Sequence, residues 1–135
     1  YKDDCPGLKV VLNIKQDEKV PVTKEFIEWF DAWVQQAQYT GKKVAFRCSC
    51  GCHRTGRLAA YYQMKYQRLT AKDANAIMKK HGKWMFLYPS LDNQVVALEQ
   101  HIKQIPCTAG KYCVRSEPEL LNFVYNEKPV KIDTN

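Results

Sequence analysis

The residues of this 135-residue chain that are best suited to chemistry are residues 47–56, Arg-Cys-Ser-Cys-Gly-Cys-His-Arg-Thr-Gly. Five residues separate Cys48 from Arg54, and the apolar run before them, residues 44–46, is typical of a buried strand. Residues 58–62 are typical of the start of a buried helix. A loop between a strand and a helix N-terminus directs backbone N–H groups and the positive end of the helix dipole at one point. This arrangement predicts a binding site for an anion such as phosphate.

Cys48 is the candidate nucleophile of this loop. The same N–H groups and helix dipole favour a thiolate over a thiol, and the thiolate is the reactive form of cysteine. Arg54 offers a planar fork that suits two phosphate oxygens. Thr55 can place a hydroxyl near the sulfur, and Gly56 allows close backbone packing. Together with Arg54, the rest of the loop is expected to bind the substrate phosphate: Ser49, Cys50, Gly51, Cys52 and His53.

Two other interpretations of the cysteine cluster stay open. A metal site would use Cys48, Cys50, Cys52 and His53, but zinc sites usually take paired ligands from two separated segments. The four residues here are too close together in sequence to surround an ion without further ligands from distant parts of the chain. A disulfide within so short a loop would be strained. We therefore expect no metal and no cofactor, and a redox or metal-binding protein is the more remote alternative.

Residues 44–62 resemble the signature of the cysteine-dependent phosphatases, the dual-specificity and tyrosine-phosphatase-like superfamily, whose loop has the pattern C-x5-R-[S/T]. The resemblance extends over most of the chain, from residue 8 to residue 102. Gly51 fits the glycine that this family has after the nucleophile. Residues 53–56 are similar to the loops of atypical members that act on inositol phosphates and pyrophosphates.

Three features depart from the family pattern. Arg47 occupies a position where histidine is common, and Cys50 and Cys52 replace the more usual lysine or alanine. The family also has strands upstream of the one predicted at residues 8–14, whereas this chain begins close to that strand. If those strands are absent, we expect a shallow, open and positively charged pocket.

The resemblance also implies a general acid on a loop upstream of the nucleophile. Asp17 lies 31 positions before Cys48, in the polar stretch of residues 15–21, and matches that place. An acid is needed because the leaving alkoxide or phenoxide must be protonated as the phosphorus–oxygen bond breaks. The same carboxylate can then activate water against the phosphocysteine. Glu18 is the alternative acid, since one residue of loop slippage exchanges the two.

The charge of the chain indicates an anionic partner. Lys and Arg number 21 against 14 Asp and Glu, a formal net charge of +7. The basic residues are scattered rather than gathered on one helix face, so we expect no nucleic acid. No apolar run approaches the roughly 18 residues of a membrane span. No signal peptide or initiator methionine is visible, so we expect a processed chain or one expressed without its leader.

The other cysteines leave the compartment open. Cys5, Cys107 and Cys113 lie in loop-like segments, where one disulfide among them would indicate an oxidising, exported location. Small buried cysteines in a reducing cytosol are equally compatible with the sequence.

Helical spacing predicts the elements that position the loop. One helix follows Thr23, and a second contains residues 58–62. A third has a start similar to a capping box, formed by Thr70 and Asp73, and stops at Gly82. A fourth is capped by Ser90 and ends before Pro106. The predicted inward-facing residues of the first, third and fourth helices are Phe26, Ile27, Phe30, Trp33, Val34, Ala37, Ala74, Ile77, Met78, Leu91, Val95, Leu98, Ile102 and Ile105. Residues 83–88 are expected to form an apolar loop and residues 117–125 a short helix.

These elements predict one domain, residues 1–135, with an α/β fold. A small, mainly parallel sheet would be flanked by helices, as a minimal version of the dual-specificity-phosphatase fold. Residues 8–14 and 44–47 would be neighbouring strands joined by the first helix. Because two strands leave both edges unpaired, we expect further strands, or an edge covered by residues 113–135 or by a second copy in a homo-oligomer.

The resemblance implies a metal-independent phosphomonoesterase that forms a phosphocysteine intermediate. The positive charge and His53 favour small polyanions such as inositol polyphosphates. A protein tyrosine or dual-specificity phosphatase acting on phosphoproteins is the alternative. A catalytically silent phosphate-binding module, with the loop but no working acid, is more remote.

Overall fold

The structure, a computed structural model, describes residues 20–46, 48, 54–81 and 89–116. Helices contain 69% of these residues, and none of the described residues forms a strand. The described residues fall into two compact units. The first contains residues 23–44 with Ser116, and the second contains the rest.

The first unit contains helix α1 (Lys24–Thr40). Thr23 is its N-cap, as predicted: the Thr23 hydroxyl accepts a hydrogen bond of 3.1 Å from the backbone N–H of Phe26. This bond satisfies one of the N–H groups that have no partner inside the first turn. Gly41 ends the helix in the left-handed conformation, with φ of 72°, which glycine adopts without steric penalty. The buried apolar residues recur at helical spacing: Phe26, Ile27, Trp29, Phe30 and Val34.

The second unit contains three helices, α2 (Arg54–Tyr66), α3 (Ala71–His81) and α4 (Ser90–Lys103). Helix α2 packs against both α3 and α4, which also pack against each other. Their apolar faces form a common core of Ala60, Tyr61, Met64, Ala71, Ala74, Met78, Leu91, Val95, Ala97 and Leu98. Fully burying a large apolar side chain contributes about 1.5–3 kcal/mol. The core therefore holds α2 from two sides, and this fixes the direction of its N-terminus.

Helix α3 begins as the sequence predicts. The Thr70 hydroxyl accepts a 3.2 Å hydrogen bond from the Asp73 N–H. Glu99 of α4 adds a second cap, because its carboxylate accepts a 2.6 Å hydrogen bond from the Ala71 N–H. A carboxylate at a helix N-terminus also interacts favourably with the helix dipole. These contacts tie the start of α3 to α4.

Both ends of α4 differ from the prediction. The sequence predicted Ser90 as the N-cap, but Ser90 is the first residue of the helix. The N-cap is Pro89, and no side chain caps the helix there. Gln104 ends the helix in the left-handed conformation, with φ of 56°. Ile105 therefore lies outside the helix and is 50% exposed. The physical reason is Pro106, which disfavours helical geometry at the residue before it.

A disulfide joins Cys107 and Cys113 and encloses the 3₁₀ helix Gly110–Tyr112, which packs on α4. The sequence had left open whether the cysteines outside the Cys48 loop form a disulfide, and the structure joins these two. Thr108 anchors the start of the enclosed segment, since its N–H donates to the Gln100 side chain at 3.0 Å. None of the helices in the described part of the chain is long and apolar enough to cross a membrane.

The predicted α/β fold with a mainly parallel sheet is wrong for the described residues. Residues 44–46 form no strand, and Val44 and Phe46 are 38% and 36% exposed instead of buried. An apolar run of three residues offers few cross-strand pairs, and those pairs stabilise a strand only where a partner strand exists. The sequence predicted α1 as the crossover between two strands, and the described residues contain no strand for it to connect. The expected homo-oligomer through a sheet edge has no support in these residues.

Several predicted elements lie outside the described residues. They are the strand at residues 8–14, the loop at residues 83–88 and the short helix at residues 117–125.

Candidate active site

Cys48 lies at the N-terminus of α2. The backbone N–H of Thr55 donates a hydrogen bond of 3.4 Å to Cys48 Sγ. Thr55 is the second residue of α2, so its N–H is one of the first four, which have no acceptor inside the helix. The positive end of the helix dipole stabilises negative charge at this position. The geometry thus brings together two residues that the sequence placed in one site.

The Cys48 side chain suits a nucleophile. It carries a reduced thiol and is half-buried. Reactive cysteines lie in partly exposed surroundings that stabilise the thiolate, whereas fully buried cysteines are inert. Partial exposure together with the Thr55 donor meets both requirements.

The Thr55 hydroxyl is buried, and it has no hydrogen-bond partner among the residues that the structure describes. Leaving a buried polar group unsatisfied costs about 1–3 kcal/mol, so native structures contain few of them. The backbone N–H of the same residue donates to Cys48 Sγ, so Thr55 is a neighbour of the sulfur. A hydroxyl there can donate to a thiolate.

Arg54 is the first residue of α2 and is half-buried. Its role in binding the substrate phosphate remains a prediction. The other predicted site residues lie outside the described residues and remain predictions: Asp17 with its alternative Glu18, Ser49, Cys50, Gly51, Cys52 and His53.

The alternative metal site also lies mostly outside the described residues. Within the described ranges, no three His, Cys, Asp or Glu side chains are grouped in a way that could hold a metal ion. Cys48 is the one member of the proposed cluster inside those ranges, so the metal site stays an alternative hypothesis.

Gly56 allows α2 to approach α3 closely. A Cβ atom added at Gly56 would lie 3.0 Å from Cγ of Met78. Real Cβ atoms rarely come so near another side chain, so the packing expected of this glycine is confirmed. The contact anchors the end of α2 at which Cys48 lies.

Arg57 is a buried residue that the sequence analysis did not single out. Its guanidinium donates hydrogen bonds of 2.7 Å to the carbonyl of Val20 and 2.6 Å to Oε1 of Gln94. The side chain is 2% exposed, and a guanidinium so deeply buried is stable only with good acceptors. A signal for it was present in the sequence: with Ala60, Tyr61 and Met64 it occupies the i, i+3, i+4, i+7 stripe of the buried face.

Comparison with known proteins agrees with this geometry. The family described as "Dual specificity phosphatase, catalytic domain" matches residues 6–101, more than half of the chain. The matched segment includes the whole loop of residues 47–56 and the position of Asp17. No solved structure gives a significant match. With a reduced cysteine at a helix N-terminus inside the matched segment, the chain belongs to the dual-specificity phosphatase family and is a cysteine-based phosphatase that acts on phosphorylated substrates.

Proposed function

We propose that this phosphatase is a metal-independent phosphomonoesterase that works through a phosphocysteine intermediate, with small polyanions such as inositol polyphosphates as substrates. The observation that carries the mechanism is the 3.4 Å hydrogen bond from the Thr55 N–H to Cys48 Sγ. This bond supports a thiolate that is oriented and stabilised before substrate arrives.

In the first step the Cys48 thiolate attacks phosphorus in line with the leaving group. The sulfur–phosphorus bond forms while the phosphorus–oxygen bond breaks. Arg54 and the backbone N–H groups of residues 49–53 hold the equatorial oxygens, where negative charge develops. Asp17 gives its proton to the departing oxygen, and the alcohol leaves neutral.

In the second step the Asp17 carboxylate takes a proton from a water molecule. The oxygen of that water attacks phosphorus, the phosphorus–sulfur bond breaks, and inorganic phosphate leaves. The Cys48 thiolate is restored, and the Thr55 hydroxyl stabilises it by donating a hydrogen bond. No metal takes part, because Arg54 and the backbone supply the positive field that the phosphate needs.

The preference for small polyanions is supported by charge. A net charge of +7 steers a substrate with several phosphates more strongly than one with a single phosphate. His53 supports the same class through the similarity of residues 53–56 to loops that act on inositol phosphates. The family's own description favours the alternative, a dual-specificity phosphatase acting on phosphoproteins.

A substrate panel decides between these classes. We expect kcat/KM for inositol hexakisphosphate to exceed that for phosphotyrosine and phosphothreonine peptides, and the margin to shrink as salt screens the charges. Activity in excess EDTA should equal activity without it. A higher kcat/KM for the peptides would establish the protein-phosphatase alternative. Phosphate binding without turnover of any substrate would identify a silent binding module.

A further inference from the structure

We infer that Arg57 is a positioning residue that ties the segment carrying the general acid to the helix that holds the nucleophile. The inference rests on the proposed function, because it takes Asp17 as the acid. Its basis is one buried guanidinium with acceptors in two other parts of the second unit.

The contacts of Arg57 are short, and the arginine itself is buried. Nη1 lies 2.7 Å from the Val20 carbonyl oxygen and 2.6 Å from Gln94 Oε1. Arg57 and Gln94 are 2% and 1% exposed. Hydrogen bonds from a charged donor are about twice as strong as those between neutral groups. Water does not compete for the buried bond to Gln94, whereas Val20 is 56% exposed, so the strength of the Val20 contact comes from its charged donor and its short distance.

The hydrogen bond from Arg57 to Val20 joins two segments, and each of them is close in sequence to one of the reacting groups. Arg57 follows Thr55, the donor to Cys48, by two residues in the same helix. Val20 follows Asp17 by three residues. Three residues span at most about 10 Å, so holding the Val20 carbonyl limits the region that the Asp17 backbone can reach. One side chain thus constrains the acid relative to the sulfur.

The two residues after Val20 also lie beside Arg57. Pro21 and Val22 share a small recess with Arg57, Gln94 and Leu98. Residues 20–22 therefore lie against α2 and α4 as a segment, and the Val20 contact is not isolated. The proline adds stiffness, since its ring locks φ.

A structural role alone does not require arginine at this position. Ala60, Tyr61 and Met64 complete the buried stripe, and an apolar residue would continue it without the desolvation cost of a buried charge. What arginine adds is a defined hydrogen bond to the acid's segment. Catalytic groups misplaced by about 1 Å can lose about 10²-fold in rate, so such a bond has functional value.

The test compares leaving groups. Arg57→Met should lower kcat/KM for phenyl phosphate, which needs the acid, about tenfold or more beyond any loss on 2,4-dinitrophenyl phosphate, which hardly needs it. Arg57→Lys keeps one donor and should give an intermediate ratio. The matched control is Met64→Ala, on the same buried stripe, which should lower the melting temperature and leave the ratio of the two rates unchanged.

An unchanged ratio in Arg57→Met would overturn the inference. If that variant does not fold, Arg57→Lys carries the test alone, and an unchanged ratio there overturns it equally. Asp17→Asn separates this result from the acid assignment. A selective loss in Asp17→Asn without one at Arg57 rejects only the positioning role, whereas a selective loss at Arg57 alone supports that role and moves the acid to another residue such as Glu18. In Asp17→Asn, adding Arg57→Met should change the ratio no further.

Discussion

The backbone N–H of Thr55 donates a 3.4 Å hydrogen bond to the sulfur of Cys48, seven positions earlier in the chain. This bond places the cysteine at the positive end of a helix of 13 residues that packs against two others. The proposed Cys48 thiolate, held in this way, would need little reorganisation when phosphate binds. The relationship between these two residues is the structural basis for the predictions on the nucleophile and on Thr55.

Cys48→Ser should abolish turnover, because a serine hydroxyl at this position is not ionised and is a far weaker nucleophile. Phosphate binding should persist, since Arg54 and the loop backbone are unchanged. Isothermal titration with inorganic phosphate and a steady-state assay measure the two properties. Cys50→Ser and Cys52→Ser are the matched controls and should keep most of the activity. Normal turnover in Cys48→Ser would show that the nucleophile lies elsewhere.

Asp17→Asn should slow hydrolysis of poor leaving groups by about 10²–10⁴-fold, the usual contribution of a positioned general acid. Activated aryl phosphates should lose much less, because a stable phenoxide leaves without a proton. Rates on phenyl phosphate and 2,4-dinitrophenyl phosphate measure the difference. Glu18→Gln is the control, and a selective loss there instead would move the acid by one residue. Equal losses on both substrates would indicate a folding defect.

Thr55→Val should change activity and stability in opposite directions. Turnover should fall by about 10²-fold, the low end for losing one donor to developing charge. The free energy of unfolding should stay the same or rise, because the variant removes a buried hydroxyl that has no partner among the described residues. If the hydroxyl acts on the second step, stopped-flow mixing should show a burst of released phenol. Thr55→Ser keeps the hydroxyl and should keep most of the activity, whereas loss of stability in Thr55→Val would point to a packing role.

Removal of the Cys107–Cys113 disulfide should reduce stability without removing activity. The bond closes a short loop with a sequence separation of 6. Chain entropy predicts a loss of about 2–3 kcal/mol in the free energy of unfolding. Cys107→Ala with Cys113→Ala should show this loss in urea titration and retain kcat, because Cys48 carries a reduced thiol outside the bond. A large fall in kcat at a temperature where the variant is fully folded would contradict the prediction.

Glu99→Gln should weaken the start of α3. The carboxylate accepts a 2.6 Å hydrogen bond from the Ala71 N–H and lies 3.8 Å from Nζ of Lys103. Loss of its charge should lower the free energy of unfolding by about 1 kcal/mol, since an uncharged oxygen interacts less with the helix dipole and with lysine. Lys103→Met is the control, because it removes only the exposed ion pair, and it should cost less. Equal costs in urea titration would assign the effect to that pair alone.

The sequence by itself determined the features that depend on local chemistry. The C-x5-R spacing predicted Cys48 and Arg54 as site residues, and the helix spacing and caps located α1 and the start of α3 at Thr23 and Thr70. These features could be predicted because a cap, a loop motif and an amphipathic stripe each depend on residues within a few positions of one another. The same spacing led to the family.

The tertiary structure decided what depends on distant partners. Residues 44–46 carry a strand-like composition, yet in the described structure they are exposed, because a strand forms only with a partner and composition does not supply one. The role of Arg57 was equally hidden, since its acceptors Val20 and Gln94 each lie 37 positions away. From sequence alone a charged residue is expected at the surface, because charged side chains are rarely buried without partners. The packing of α2 with α4 and residues 20–22 provides the acceptors that let Arg57 be buried.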